Sequence, residues 1–145
     1  MNNKINRIHE KSLRIIFNDK KSSFQELLDK DNTFTVHDKN IQKLCIEMFK
    51  VVEETSPRIF SELFHKRENK YDLRQKDFFT IPKINTVYNG SETISVLGPK
   101  IWNSLPNALK TKNSLSSFKA SIKKWQPINC PSRLCKNYIA GVGFI

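Results

Sequence analysis

The chain has 145 residues, 38% of them apolar, which is enough for one modest core and too little for several independent ones. Lys and Arg number 25 against 14 Asp and Glu, a formal net charge of +11, so a polyanionic partner is expected. Nucleic acid fits such a field best, because each phosphate neutralised by a Lys or Arg releases condensed counterions.

The opening MNNKINRIHEKSLRIIF has polar residues throughout and no apolar run of the length a signal peptide or membrane span needs. A nuclear or cytoplasmic protein with no membrane partner is expected. Three cysteines, Cys45, Cys130 and Cys135, are an odd number at wide spacing, which is no disulfide framework and suits a reducing compartment.

From Asn3 to Phe17, Ile5, Ile8, Leu13, Ile15 and Ile16 fall roughly on one helical stripe, with Lys4, Arg7, Lys11 and Arg14 on the other faces. Ser23 and Glu26 have the spacing of a capping box, and Phe24, Leu27 and Leu28 give the helix behind it an apolar side until Asp31-Asn32 ends it. The clearest helix runs from Val36 to Glu53, where Ile41, Leu44, Cys45, Met48, Phe49 and Val52 follow the helical template. Ser56-Pro57 predicts an N-cap followed by proline at the first helical position. A short helix through Ile59, Phe60, Leu63 and Phe64 should then pack back as a helical hairpin.

HKRENKYDLRQ, from His65 to Gln75, carries one aliphatic side chain and four Lys or Arg, and predicts an exposed connection. Beyond it, Phe78, Phe79, Ile81, Ile84, Val87, Tyr88, Ile94, Val96 and Leu97 are β-branched, aromatic or aliphatic. Asn89-Gly90 between TVY and SETISVL is the sequence signal of a type I′ hairpin, so a two-stranded ribbon is expected. Pro99 and Pro106 bracket a short helical turn that docks Ile101, Trp102 and Leu105, with Trp102 as core anchor. Leu115, Phe118, Ile122 and Trp125 predict a last helix from Ser114 to Trp125. The fold class is mainly α with a small β-hairpin. Residues 1–65 form a helical region, 66–77 a basic connection, and 78–145 the hairpin, turn, last helix and tail, all closing into one unit.

Few residues are placed for chemistry. Two-metal phosphodiester catalysis needs convergent carboxylates, whereas Asp29, Asp31, Glu53 and Glu54 stand at helix ends, the ordinary positions of caps and surface acids. Four glycines make no phosphate loop, and His9, His37 and His65 are scattered, His37 reading as an exposed polar residue near a helix start. No catalytic residue, cofactor or metal is assigned. Cys130 and Cys135 are the one pair with a zinc argument, which lacks a second pair of ligands because no Cys or His follows Cys135 and Cys45 reads as a distant core residue. The expected nucleic-acid contacts are two basic groups: Lys66, Arg67, Lys70 and Arg74 in the connection, and Lys119, Lys123, Lys124, Arg133 and Lys136 near the end. Tyr71, Tyr88 and Tyr138 stand near cations; the other aromatics read as core.

The order of segments carries a resemblance. RIHEKSLRIIFND, SSFQELLDKDNTFTVHDKNIQKLCIEMFKVV, YDLRQKDFF, TVYNGSETISVLGPKIWNSLP and LSSFKASIKKW together resemble the C-terminal tail of reverse transcriptases from non-LTR retrotransposons, over nearly the whole chain. The sharpest part is Gly98 to Pro106, GPKIWNSLP, followed by the segment from Phe118 to Trp125. The resemblance implies that Arg7 to Asn18 correspond to the last thumb-side helix and the rest to the segment beyond the thumb. It also implies a parent polymerase that copies RNA into DNA. The palm's paired aspartates have no counterpart, since no two aspartates are adjacent here, and the zinc knuckle of some such tails lacks its trailing His. Because Met1 stands just ahead of the thumb-like helix, a truncated element copy is expected. The expected function is that of a non-catalytic accessory surface gripping RNA or DNA within the parent polymerase. A protein-docking module and a relic without selected activity are the other readings.

Overall fold

The computed structural model describes residues 2–67, 78–84, 90–126, 130, 132 and 135. The chain forms two compact units, residues 1–41 and 42–145, and the division falls inside one continuous helix.

In the first unit, α1 (Asn2–Ile16) and α2 (Phe24–Lys30) pack through Leu13, Leu27 and Leu28, with Phe24 against this small cluster. The capping box at the start of α2 is present: Ser23 Oγ accepts from Glu26 N at 3.3 Å, and Ser23 N donates to the Glu26 carboxylate at 2.7 Å. The link between the helices is organised by Asp19, whose carboxylate accepts from the backbone N–H of Lys21 and Ser22, from Ser22 Oγ and from Lys30 Nζ. The Lys30 ammonium first, then the donors of Ser22 and Lys21, hold its carboxyl well below the usual carboxylate range.

The helix shared by the units is α3 (Val36–Val52), which buries Ile41, Gln42, Cys45, Met48, Phe49 and Val51. Helices α1, α2 and α3 end alike. Asn18, Asn32 and Glu54 take the left-handed conformation, with φ of 47°, 51° and 56°, and the N–H one residue further on reaches back to Arg14 O, Leu28 O and Lys50 O. This left-handed turn satisfies carbonyls the helix leaves unpaired; Asn tolerates it better than Glu.

The core of the second unit is aromatic. Phe49 of α3 stacks on Phe118 at 4.4 Å, and Trp102, fully buried, lies 6.1 Å from Phe118 and 6.3 Å edge-on from Phe79. Phe118 and Ile122 come from α7 (Leu115–Ile122), whose N-cap Ser114 accepts from Ser117 N. Trp125 lies beyond the helix, and its carbonyl accepts from the buried Gln42 side chain at 2.9 Å.

Four expectations are corrected here. The helix α4 (Arg58–Leu63) has Pro57, not Ser56, at its N-cap and buries none of its own residues. Ile59 is 70% and Leu63 41% exposed, so in place of a packed helical hairpin only Phe64, just past α4, is driven into the core. Six residues give under two turns, too short a stripe to hold a helix down.

No β-ribbon is seen among the described residues. The expected first strand through Thr86, Val87 and Tyr88 and the turn residue Asn89 lie outside them, but the expected second strand instead leads into and opens α5 (Ile94–Ser104). Strand preference is weak against burial. Alternation along a strand would turn half of Val96 to Trp102 away from the core, whereas the helix buries Val96, Pro99, Ile101 and Trp102 together. Gly98 allows this close packing, since a Cβ there would meet Met48 Sδ at 2.9 Å and the Phe64 ring at 3.1 Å. The expected short turn thus becomes a helix with Pro99 inside it; Pro106 ends the segment and caps the four-residue α6 (Asn107–Lys110).

Lys66 and Phe79 form an antiparallel bridge, with Arg67 N donating to Phe78 O and Thr80 N to His65 O. Phe79's own N–H and C=O face away from that bridge, and the buried Asn103 side chain takes both, each at 3.0 Å. One amide thus stands in for a third strand.

Candidate nucleic-acid interface and metal-ligand cluster

Of the two basic groups expected to meet nucleic acid, Lys66, Arg67, Lys119, Lys123 and Lys124 are described, and all five are exposed. Lys70, Arg74, Arg133 and Lys136 lie outside the described residues, as do Tyr71, Tyr88 and Tyr138. Lys66 is already engaged within the fold. Its Nζ donates to Val52 O at 3.2 Å, a cation on the carbonyl end of α3, where the helix dipole favours positive charge. The bridge to Phe79 fixes the backbone of Lys66 and Arg67, so both project from the closed base of the basic connection.

Lys119, Lys123 and Lys124 stand at the end of α7 and just past it, beside the stripe that buries Phe118 and Ile122. The separation follows from helical spacing, because the stripe that fills the core leaves the intervening positions to solvent. Among the described residues these three ammonium groups make no ion pair or side-chain hydrogen bond, whereas Arg14, Lys30, Lys50 and Arg58 are all paired with acids. Lys110 is likewise engaged, donating to Asn103 O at 3.1 Å with its ammonium 4.3 Å from the Phe78 ring centre.

The cysteines are arranged differently from expectation. Cys45 is fully buried on α3, and burial pushes its thiol pKa up, with a further upward push from the nearby Cys130. It is not remote from the C-terminal pair. Cys130 is fully buried, Cys135 half-buried, and Cys135 N donates to Ser132 O at 3.1 Å. Ser132, 1% exposed, donates to Glu92 Oε2 at 2.8 Å, in the segment preceding α5.

His37, expected to be exposed, is half-buried in the first turn of α3, on one helical face with Ile41 and Cys45 at i+4 and i+8.

No family model matches the chain, and no curated protein or solved structure is significantly similar to it.

Proposed function

We propose that the chain is a non-catalytic accessory surface of a retroelement-type RNA-directed DNA polymerase, gripping RNA or DNA electrostatically. The observation that carries this reading is the exposed trio Lys119, Lys123 and Lys124 at the end of α7, unpaired among the described residues, in a chain of net charge +11. Such a surface reads phosphate, not bases, so it holds a strand without choosing a sequence. The resemblance of Gly98 to Pro106 and of the helix after it to retroelement tails supplies the class of parent enzyme. Polymer synthesis belongs to the parent's palm, whose paired aspartates this sequence lacks.

The test is binding to single-stranded RNA and to duplex DNA across a salt series. Affinity should fall linearly in log–log form, and replacing Lys119, Lys123 and Lys124 by Gln should flatten the slope by about 2 to 3 for duplex DNA, near 0.9 per lost phosphate contact. A folded chain that ignores both nucleic acids at low salt overturns the reading.

One observation favours the second reading, a protein-docking module. On α1, Ile8, Ile15 and Ile16 are 66%, 81% and 68% exposed. Apolar side chains on an amphipathic helix are the material of helix-in-groove docking. Partner binding that persists at high salt and is lost on replacing Ile8 and Ile15 by Ser would favour it.

A further inference from the structure

We propose that Cys130 and Cys135 are a redox-operated pair, whose thiols close to a disulfide within the second unit when a small-molecule disulfide is present. The two Sγ atoms lie within 4.8 Å of each other. A disulfide bond is about 2.05 Å long, and closing to it takes rotation of the two side chains about χ1. The backbone contacts around the pair favour the same closure. Cys135 N donates to Ser132 O at 3.1 Å, and the buried Ser132 hydroxyl donates to Glu92 at 2.8 Å. Ser132, between the two cysteines in sequence, is thus bonded on one side to Cys135 and on the other to Glu92.

The two thiols differ in the way the chemistry needs. Cys135 is half-buried and meets solvent with part of its surface, whereas Cys130 is fully buried. Redox-sensing cysteines combine an accessible thiol that reacts first with a second thiol poised to resolve it. The Cys135 thiolate attacks one sulfur of the small-molecule disulfide, which forms a mixed disulfide and releases one small thiol. The Cys130 thiolate then attacks the Cys135 sulfur, so the protein disulfide forms and the second small thiol leaves. The two protons given up by the cysteines end on the released thiols, and the two electrons reduce the small-molecule disulfide. Cys45 is fully buried on α3 and kept protonated by burial, so it stays out of the exchange. In a reducing compartment such a bond is transient and reports the surroundings. The ring runs only from Cys130 to Cys135, so its hold on the chain is local and weaker than that of a bond closing a long loop.

The test equilibrates the full chain, reduced beforehand with a phosphine, in mixtures of oxidised and reduced glutathione, with folding checked by circular dichroism. The folded chain is expected to lose two hydrogens by mass and retain no glutathione. Digestion should give a Cys130–Cys135 peptide, with Cys45 the one thiol alkylated after denaturation. The bond should form at least about tenfold more readily than in the same chain unfolded in urea, because a fold that holds two sulfurs together is stabilised by their bond in equal measure. The oxidised chain should accordingly have the higher Tm, a shift that Cys135→Ser removes. Cys130→Ala should stop at one glutathione on Cys135, and Cys45→Ala should oxidise like the parent chain. Equal readiness in the folded and the urea-unfolded chain overturns the proposal, since the pairing would then owe nothing to the fold. So does a Cys45–Cys130 bond, or a folded parent chain that stops at the mixed disulfide.

Discussion

Helices α1 and α3 are of similar length, both written with a helical apolar stripe and flanking Lys or Arg, and they meet opposite fates. α3 buries Ile41, Cys45, Met48, Phe49 and Val51, while Leu13 is the one buried side chain described in α1. The aromatic rings of Trp102 and Phe118 pack on Phe49, and Phe79 meets Trp102 in turn, whereas among the described residues the cluster at the α1 stripe is made by the two leucines and Phe24 of α2. Periodicity therefore reports that a face can be buried, and a second element of sufficient size decides whether it is.

The sharpest break of this contrast is Phe49→Ala. Removing the ring stacked on Phe118 should destabilise the second unit by about 3–5 kcal/mol in urea unfolding, as large aromatic-to-alanine changes in cores do. Asn103→Leu should cost about 2–4 kcal/mol, because it strands the N–H and C=O of Phe79 in the interior, each at about 1–3 kcal/mol, with some return from the added apolar group. Gly98→Ala sets two effects against each other. Alanine favours the helix by about 1 kcal/mol over glycine, but a methyl 2.9 Å from Met48 Sδ overpacks the α3–α5 contact, and a net loss of about 1–2 kcal/mol is expected.

Smaller effects test the ends of helices. Glu54→Gly, relieving a left-handed residue at the end of α3, should raise stability by about 0.5–1 kcal/mol, read as a higher Tm. In the first unit the probe is pH. The Asp19 carboxyl is depressed by Lys30 and the donors of Ser22 and Lys21, so its stabilisation is present above the ordinary carboxylate pKa, about 4, and is lost as pH falls below it. Asp19→Asn should flatten that part of the pH dependence of helicity. Smallest of all, Ile15→Ser on the exposed side of α1 should shift stability by no more than about 0.5 kcal/mol. A larger loss would mean that the α1 face is covered after all.

Much of the fold was legible because its signals are local. The capping box at Ser23, the long stripe of α3, the N-cap at Ser114 with Phe118 and Ile122 behind it, and Trp102 as core anchor each rest on residues within a few turns of one another. Local spacing also separated Lys119, Lys123 and Lys124 from the buried face of α7.

Tertiary structure alone decided the rest. Val96 and Ile94 read as strand residues, and it took Met48 and Phe64 packed against Gly98 to make burial on a helix the better solution. The same burial left α4 exposed, because one phenylalanine beyond its end meets the core and the helix does not. The role of Asn103 depends on Phe79, far back along the chain. Helix and cap energies are fixed by neighbours in sequence; packing and amide pairing are fixed by neighbours in space, which one-dimensional spacing does not encode.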